Sequence, residues 1–465
     1  MATYYVRADG TAANKAAATG PGSVQSACMN RGVHNGETFA AGDIIIVSGL
    51  GGSITAGALV PPSDGTSVGW ITYRGEDSPV LDGGDSNNTC ITISGRSYIL
   101  MTGLDVIDAL YYGVKIDNLS ANIRIEWINA SGCGNSGVAV YDESGDVQTD
   151  VLIEHCYCDD NVEAGIVVLE ENDRITIRRN ECAYNATAAS GANSGGIRVK
   201  AEDGARGDDI VVEDNFAHNN GVGVTTGRGF GIYLDTLGTG CIARRNRCTD
   251  NYTDGMILEW TDAGQVHYNV FDGNGRHGFS LWRRSNSNEI YNNVSYGNNQ
   301  NTWGGGFSLN GPGEGPTYTM SSNLVRNNIS DGHGSSFEVD FNGGMQNDGT
   351  DGDNNVYSNN CWGLEAGNFI YWGGSGYATY DAWETQYGGT TYSIEADPLF
   401  RSPATGDFHL QRSSPCIDAG VDVGLASDKD GVIVPQTGAV DVGAYELHLG
   451  RHGSLRHRGI SHRGH

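Results

Sequence analysis

The chain has 465 residues and a formal net charge of −28, with 70 glycines, 10 prolines and 38% hydrophobic residues. This composition is typical of a folded chain with many short strands and tight turns, and it argues against a disordered chain. The acidity argues against nucleic acid as a partner, because such binding needs clustered lysine and arginine, and no apolar run is long enough to span a membrane.

The N-terminal region, residues 1–80, is predicted to form a helical cap and the first coils of the fold. The stretch SVQSACMNRG, which begins at residue 23, predicts a short helix, and GDIIIVSG, which begins at residue 42, predicts the first buried strand. The opening residues MATYYVRADG lack the charged and apolar segments of a signal peptide.

A glycine-led strand repeats through the central region, residues 81–365. The repeated strands are GVKI at 113, GVAV at 137, GIVV at 165, GIRV at 196, GIYL at 231, GMIL at 255 and GFSL at 278 and 306, and SFEV at 336 continues them with serine for glycine. Constant strands separated by insertions of variable length are typical of a solenoid in which successive coils stack on one another.

A second repeat places one asparagine at the same position of successive coils. These residues are Asn180, Asn215, Asn246, Asn269, Asn293 and Asn328. Because parallel strands lie about 4.8 Å apart, we expect these side chains to form a hydrogen-bonded ladder. Cysteines follow two positions later at Cys182 and Cys248, which predicts small buried core residues rather than disulfides.

The C-terminal region, residues 366–447, contains DPLF at 397, GDFHLQRSSPCIDAG at 406 and DVGAYEL at 441. Together with YYVRADGT near the N-terminus and the central repeat, these stretches resemble the right-handed parallel β-helix proteins of the pectate-lyase-like superfamily. The resemblance implies an all-β, right-handed parallel β-helix solenoid with an N-terminal helical cap and a C-terminal capping segment. Residues 448–465 are basic and rich in histidine, and we expect them to be an appended tail outside the fold.

Period-two alternation places two positions of each repeated strand on the outer face of the solenoid. Successive coils there carry Lys200, Asp235, Glu259 and Trp282 in one row, and Arg198 and Tyr233 in the neighbouring row. Asp235 and Glu259 on adjacent coils suit glycoside hydrolysis, with one carboxyl as acid and the other as base or nucleophile. Trp282 offers a flat apolar face for a sugar ring.

Lys200 and Arg198 favour a second reaction, β-elimination in a polysaccharide that contains uronic acid. A base must remove the C5 proton, and positive charge must neutralise the sugar carboxylate. GIRVKAEDG at 196 looks like the lysine-bearing outer strand of β-helix polysaccharide lyases of the alginate and chondroitin lyase type, which implies Lys200 as the base. The partner arginine of that family follows one coil later in the motif LRH. Here Asp235 occupies the next coil, and Arg283 or Arg284 in SLWRRSNSNEI follows three coils after Lys200.

Two further features bear on the site. His277 is expected in a turn between coils, where it could contact the substrate. The stretch NDGTDGDNN at 347–355 is rich in oxygen ligands, so Asp348, Asp351 and Asp353 are candidates for binding Ca²⁺. Acid-rich loops at 169–174 and 201–209 are further candidates, and calcium-dependent lyases of the resembled fold bind the substrate carboxylate through the metal.

These features predict a carbohydrate-active enzyme, with a lyase slightly favoured over a hydrolase that uses Asp235 and Glu259. The alternative is a non-catalytic glycan-binding surface protein or a phage tail protein, which would be a homotrimer. A trimer should expose an apolar stripe, whereas insertions at 186–195, 220–230 and 310–320 would wall a groove and favour the enzyme. In either case we expect an extracellular, cell-surface or virion location and a polysaccharide as the partner.

Overall fold

The computed structural model describes residues 1–448 except 56, 188–193, 202–205, 224–228, 302–303, 310–319, 335–336, 342–344, 346, 348–351, 368 and 437. Within this part of the chain, most strands belong to three long sheets, A, B and C. From residue 71 to residue 340, successive coils contribute strands to sheets A, B and C in turn. The predicted solenoid of stacked coils is therefore confirmed.

Sheet A has 13 strands, all parallel. They are β1 (Thr3–Arg7), β2 (Ile44–Ser48), β3 (Ile71–Glu76), β6 (Ser97–Thr102), β9 (Ala121–Glu126), β12 (Thr149–Glu154), β15 (Asp173–Arg178), β18 (Val211–Glu213), β21 (Ile242–Arg244), β24 (Gln265–His267), β27 (Glu289–Tyr291), β30 (Leu324–Arg326) and β33 (Val356–Ser358). The strand predicted first, at GDIIIVSG, is therefore the second strand of this sheet.

Sheet B has 10 short parallel strands. They are β4 (Val80–Asp82), β7 (Asp105–Ile107), β10 (Asn129–Ser131), β13 (Tyr157–Asp159), β16 (Glu181–Ala183), β19 (Phe216–His218), β22 (Arg247–Thr249), β25 (Val270–Asp272), β28 (Val294–Tyr296) and β31 (Ile329–Asp331). The cysteines predicted to be core residues lie in or beside such strands, and all ten cysteines of the chain are buried and free.

Sheet C has 12 strands and contains the glycine-led repeat. They are β5 (Thr89–Ser94), β8 (Tyr112–Asp117), β11 (Ser136–Val140), β14 (Ala164–Leu169), β17 (Gly195–Lys200), β20 (Phe230–Asp235), β23 (Met256–Glu259), β26 (His277–Trp282), β29 (Gly305–Leu309), β32 (Phe337–Asp340), β34 (Ile370–Trp372) and β35 (Ser375–Tyr377). The last two strands pair antiparallel. A separate antiparallel hairpin follows, formed by β36 (Phe400–Ser402) and β37 (Asp407–Leu410).

The glycine of each repeat lies where the coil is narrowest. A Cβ atom at Gly231 would lie 2.5 Å from the carbonyl oxygen of Gly255 and 2.7 Å from the Cβ of Cys248 on sheet B. No other residue fits such a gap without moving the backbone. The alternating residues that follow, such as Ile197 and Val199 in β17, are buried in one continuous core. The glycine and the small residue opposite it are thus two parts of one packing requirement.

The predicted asparagine ladder is confirmed. Asn246 donates through Nδ2 to Asn269 Oδ1 at 3.0 Å and accepts at Oδ1 from Asn215 Nδ2 at 3.0 Å, and all three are buried. The same bond joins the other neighbours of the series, from Asn180 to Asn328. Each coil therefore has the same registry against the next one.

A second, unpredicted ladder runs beside sheet B. It joins Asn161, Asn185, Asn220, Asn251, Asn274 and Asn298 by the same side-chain hydrogen bonds. In the next coil His333 occupies the position, and its Nδ1 accepts the backbone N–H of Asn298 at 2.9 Å. Its Nε2 lies 3.1 Å from Ser330 Oγ and 3.3 Å from Glu338 Oε2, in a buried polar cluster at the end of the ladder.

Helices occur at both ends of the solenoid. In the predicted N-terminal helix region there is a 3₁₀ turn, Gln25–Ala27, followed by α1 (Arg31–Asn35), and α2 (Tyr380–Tyr387) lies near the other end. Further 3₁₀ turns are Lys15–Ala17, Gly49–Gly51 and Pro403–Thr405. In the described part of the chain, no helix is long and apolar enough to cross a membrane.

The C-terminal segment lies along the side of the solenoid. Lys429 Nζ donates to the backbone oxygens of Arg245 at 2.5 Å and Asn246 at 3.1 Å. Asn292 Nδ2, in a turn of a later coil, donates to the backbone oxygen of Asp441 at 2.9 Å. These bonds attach residues near the C-terminus to turns in the middle of the chain.

Candidate functional site

The outward row of sheet C contains the predicted site residues in direct register. Lys200 in β17 pairs with Asp235 in β20, Asp235 pairs with Glu259 in β23, and Glu259 pairs with Trp282 in β26. The insertions between these strands therefore do not shift the register. The predicted placement on adjacent coils is confirmed for Lys200, Asp235, Glu259 and Trp282.

The phenol of Tyr233 joins the two carboxylates of this row. Its oxygen lies 3.0 Å from Asp235 Oδ2 and 2.6 Å from Glu259 Oε2. Asp235 also accepts a hydrogen bond at Oδ1 from Thr236 Oγ1 at 2.9 Å. Because both carboxylates contact the same phenol oxygen, they lie close together, as the two carboxyl groups of a retaining glycosidase do.

Two cations flank the carboxylates. Lys200 Nζ lies 3.5 Å from Asp235 Oδ2, and Arg283 Nε lies 3.1 Å from Glu259 Oε1. The side chains of Lys200 and Arg283 are 31% and 32% exposed, whereas those of Asp235 and Glu259 are only 6% and 7% exposed. Sequence analysis places all four on the outer face, but the carboxylates lie deeper than the cations, and solvent reaches mainly the cations.

Burial raises the pKa of Glu259, and the negative charge of Asp235 raises it further. The hydrogen bond from Tyr233 and the positive charges of Arg283 and Lys200 lower this pKa, but the net shift is upward. Burial and the same two carboxylates raise the pKa of Tyr233, so its hydroxyl stays protonated. A hydroxyl has only one proton, so it cannot donate to both carboxylates at once. The Tyr233 hydroxyl therefore donates to one of the two carboxylates at a time.

A small pocket of about 70 Å³ lies next to Tyr233, lined by Phe230, Tyr233, Thr253, Asp254, Ile257, Arg276 and Trp282. The Arg276 guanidinium lies 4.8 Å from the ring centre of Trp282 and forms a 2.9 Å ion pair with the buried Asp254. Asp254 Oδ1 also accepts a hydrogen bond from Ser280 Oγ at 2.7 Å. This network supports Trp282 from one side, and sequence analysis missed both Arg276 and Asp254 because neither lies in the outward rows.

The remaining predicted residues are less closely connected to this centre. Arg198 is half-buried and pairs in register with Tyr233. Arg284 is exposed, and Arg283 and Arg284 both have positive φ angles, of 37° and 41°, an uncommon conformation for residues other than glycine. This turn brings Arg283 to Glu259, so the arginine predicted three coils after Lys200 reaches back into the site.

His277 does not lie in a turn, and that prediction is wrong. It is the first residue of β26, it is buried, and its ring stacks on Phe337 with 5.9 Å between the ring centres. Burial lowers its pKa to about 4, so the imidazole is neutral near pH 7. The strand begins one residue before the repeat glycine, which places this side chain in the wall of the coil.

The candidate calcium ligands are only partly described. Asp348 and Asp351 lie outside the described residues, as do Glu202 and Asp203 of the 201–209 loop. Asp353 is exposed and accepts a 2.8 Å hydrogen bond from the backbone of Asn354. Among the residues that the structure does describe, no three His, Cys, Asp or Glu side chains come close enough together to hold a metal ion.

Comparison with solved structures identifies the fold. The pectate lyase Pel9A matches with a TM-score of 0.55 and 15% identity, over 96% of this chain and 97% of its own. XylC in complex with xylose matches with a TM-score of 0.52 and 12% identity, over 72% of this chain and 76% of its own. The AlgE6 A-module, a mannuronan C-5 epimerase of Azotobacter vinelandii, matches with a TM-score of 0.50 and 14% identity, over 79% of this chain and 93% of its own.

These likenesses establish the architecture. The chain has the parallel β-helix fold of the pectate lyase Pel9A and the epimerase module, as the resemblance implied. No protein-family model and no curated protein sequence matches the chain. Because the identities are so low and one fold can host unrelated functions, any function must be argued from the site itself.

Proposed function

We propose that the protein is an enzyme that cleaves a polysaccharide containing uronic acid by β-elimination on the outer face of sheet C. The observation that supports this most is the exposure of Lys200 and Arg283 beside the almost inaccessible Asp235 and Glu259. A polymer lying on this face meets the cations first, which suits an anionic sugar. The lyase and the epimerase among the structural neighbours make polysaccharide a reasonable substrate class.

In this proposal Arg283 neutralises the sugar carboxylate, and Lys200 removes the proton from C5. The electrons of the C5–H bond form the C4–C5 double bond, and the bond from C4 to the linking oxygen breaks. That oxygen needs a proton, which Glu259 can supply because burial raises its pKa.

Lys200 must be neutral before it can act as a base. In the free protein Lys200 Nζ lies 3.5 Å from Asp235 Oδ2, so this carboxylate is placed to accept the lysine proton. A bound substrate displaces water, and the loss of water favours the uncharged pair over the ion pair. The Lys200–Asp235 pair would then be uncharged, with the amine directed at the sugar.

Hydrolysis of a glycosidic bond is the second candidate, and one observation favours it. Asp235 and Glu259 lie on adjacent coils and share one phenol, and the raised pKa of Glu259 suits a general acid. In this case Asp235 would be the nucleophile, and the linkage would be cleaved with retention of configuration.

A trimeric, non-catalytic protein is less well supported. It should present a continuous apolar stripe, yet the central outward column of sheet A is interrupted by polar residues. In order along the sheet, this column reads Thr72, Leu100, Arg124, Leu152, Thr176, Val211, Ile242, Gln265 and Glu289. The insertions expected to wall a groove lie largely outside the described residues and do not decide the question.

One assay separates these functions. The protein is incubated with polygalacturonate, alginate, glucuronan and neutral glycans, with and without a chelator. Ultraviolet absorbance of a new C4–C5 double bond identifies a lyase, and new reducing ends without that absorbance identify a hydrolase. No product from any glycan would exclude both and leave the non-catalytic function. The chelator arm tests the Ca²⁺ requirement, which stays a proposal, as does the extracellular or surface location.

A further inference from the structure

Arg198 differs from most other cations on or beside the outer face of sheet C. Four of these pair with carboxylates: Lys115 with Asp117 at 3.0 Å, Lys200 with Asp235 at 3.5 Å, Arg276 with Asp254 at 2.9 Å and Arg283 with Glu259 at 3.1 Å. Arg198 forms no ion pair with any residue that the structure describes, and its Nε is buried without a hydrogen-bond partner. A half-buried guanidinium without partners is costly in a folded protein.

On the side of Arg198 away from Tyr233, the residues in register with it are small and apolar. Arg198 follows Val167 and Ala139 along the sheet, and both are buried. Together with Ala164 they pack against Tyr112 and Leu169. The aliphatic side chains of this cluster cannot accept a hydrogen bond from a guanidinium, and Arg198 Nε has no partner among the described residues, so it is left to donate to a ligand.

Aromatic side chains lie at the far side of this cluster. The ring centres of Tyr112 and Tyr141 are 6.4 Å apart, as are those of Tyr111 and Tyr112. Lys115 Nζ lies 5.7 Å from the ring centre of Tyr141. Tyr111 is 49% exposed and Tyr112 is partly exposed. Such rings can stack on sugars, and their hydroxyls can form hydrogen bonds with them.

Arg198 acts electrostatically on this aromatic group. Burial raises the pKa of Tyr112 to about 12, the charges of Tyr141, Glu163 and Glu143 add to the increase, and the positive charge of Arg198 opposes it. The phenol of Tyr112 is therefore protonated near pH 7 and can donate a hydrogen bond. The positive charge of Arg198 therefore acts on the region between strand β17 and Tyr112.

We propose that Arg198, Tyr112 and Tyr141 form an extended second subsite, which runs from Arg198 beside Lys200 to the tyrosines and binds further sugar residues of the anionic polysaccharide cleaved at Lys200. This inference rests on the proposed function for its substrate class. The outward row continues without a break from Leu169 to Lys200, so the subsite and the catalytic row share one face. Three strand spacings separate β8 from β17, about 14 Å at the usual distance between strands, which is a distance that only a longer oligomer can span.

Direct binding tests this subsite independently of cleavage. The polymer that the protein binds most strongly is chosen first, and a dimer and a hexamer of its uronic acid are prepared. Calorimetry then measures the affinity of the full chain for each oligomer. The measurements are made at low temperature, and cleavage is monitored in parallel. We expect Arg198→Gln to weaken hexamer binding about tenfold or more, because it removes a charge-assisted contact, and to weaken dimer binding less, because a dimer at Lys200 does not extend to the tyrosines. Arg198→Lys should retain part of the affinity, since it keeps the charge but loses the planar fork. Tyr141→Ala should also weaken hexamer binding selectively.

Two controls match these changes. Arg174→Gln removes one positive charge from the outer face of sheet A, and Tyr392→Ala removes an exposed ring near the C-terminal end, and neither should alter binding. Thermal unfolding verifies that each variant is folded. Equal hexamer affinity in Arg198→Gln and the folded wild type would overturn the subsite even if cleavage is observed. Hexamer binding that depends on Arg198 without any cleavage would sustain the subsite and overturn the lyase. No binding of any uronate oligomer would overturn both.

Discussion

The phenol oxygen of Tyr233 lies 2.6 Å from Oε2 of Glu259 on the next coil. This contact connects two side chains that point outward from different coils, and the same oxygen lies 3.0 Å from Asp235. Through it the candidate site becomes one chain of polar groups, from Lys200 through Asp235, Tyr233 and Glu259 to Arg283. The behaviour of any one group therefore depends on the others.

Replacing Tyr233 with phenylalanine tests this chain. Tyr233→Phe keeps the ring against Phe230 and Ile257 but removes the hydroxyl that contacts both carboxylates. Since the Tyr233 bond lowers the pKa of Glu259, that pKa should rise further. We expect kcat to fall about tenfold to a hundredfold and the limb of the pH–rate profile governed by Glu259 to move to higher pH. Tyr184→Phe, at an exposed ring on another sheet, serves as the control, and an unshifted profile in Tyr233→Phe would contradict the coupling.

Lys200 can be tested for its charge and its basicity separately. Lys200→Arg keeps the positive charge beside Asp235, but arginine does not deprotonate in proteins. If Lys200 is the base, Lys200→Arg and Lys200→Ala should both lose activity by a hundredfold or more, as measured by formation of the unsaturated product. Arg74→Ala, which removes an exposed cation elsewhere, is the control. Substantial lyase activity in Lys200→Arg would mean that Lys200 contributes only charge.

The buried carboxyl of Glu338 should make the stability of the folded protein depend on pH. Burial raises the pKa of this carboxyl from 4.5 to about 8, so the folded state holds the proton more tightly than the unfolded state does. The stabilisation from this proton is complete below about pH 4.5 and is lost as the pH rises through about 8. The melting temperature should therefore fall between pH 6 and pH 9, and Glu338→Gln should reduce that fall.

The exposed Glu76 provides the control for this measurement. Glu76→Gln should leave the pH dependence of melting as it is in the wild type. Melting curves at a series of pH values, at constant ionic strength, give the comparison. If Glu338→Gln and the wild type lose stability in parallel above pH 6, the protonated Glu338 is not the cause.

Asn246 tests the contribution of the asparagine ladder to stability. Its buried amide bonds to Asn269 and to the backbone oxygen of Val212, and its oxygen accepts from Asn215. Asn246→Ala leaves several buried groups without partners, which costs about 1–3 kcal/mol for each. We expect urea unfolding to show a loss of about 3 kcal/mol or more. Asn129→Ala, at an exposed strand position, should cost far less, and equal losses would argue against the ladder as a source of stability.

Much of the fold could be predicted because every coil has the same packing and hydrogen-bonding requirements, and the repeated residues meet them. The glycine of the repeat packs closely against a side chain of sheet B, and the asparagine bonds to the equivalent asparagine in the next coil. The second ladder could have been found in the same way. Asn185, Asn220 and Asn251 each follow an asparagine of the first ladder by five residues, a spacing that sequence analysis did not use.

The depth and partners of the site residues could not be predicted in this way. Asp235 and Glu259 point outward from their coils, yet they are almost inaccessible because Tyr233 and the side chains around it cover them. Arg283 reaches Glu259 through a turn with two positive φ angles, which nothing in its spacing indicates. The burial of Asp235 and Glu259 and the direction of Arg283 depend on residues of other coils rather than on the repeat itself.

The sequence by itself determined the parallel coils, the order of Lys200, Asp235, Glu259 and Trp282 along one face, and the ladder that holds the coils in register. It could do so because every coil repeats the same backbone path, so position in the repeat determines position on the solenoid. Only the tertiary structure decided that Tyr233 joins the two carboxylates and that Arg198 Nε finds no hydrogen-bond partner among the described residues. These features arise from side-chain directions and solvent exclusion between coils, which no single repeat contains.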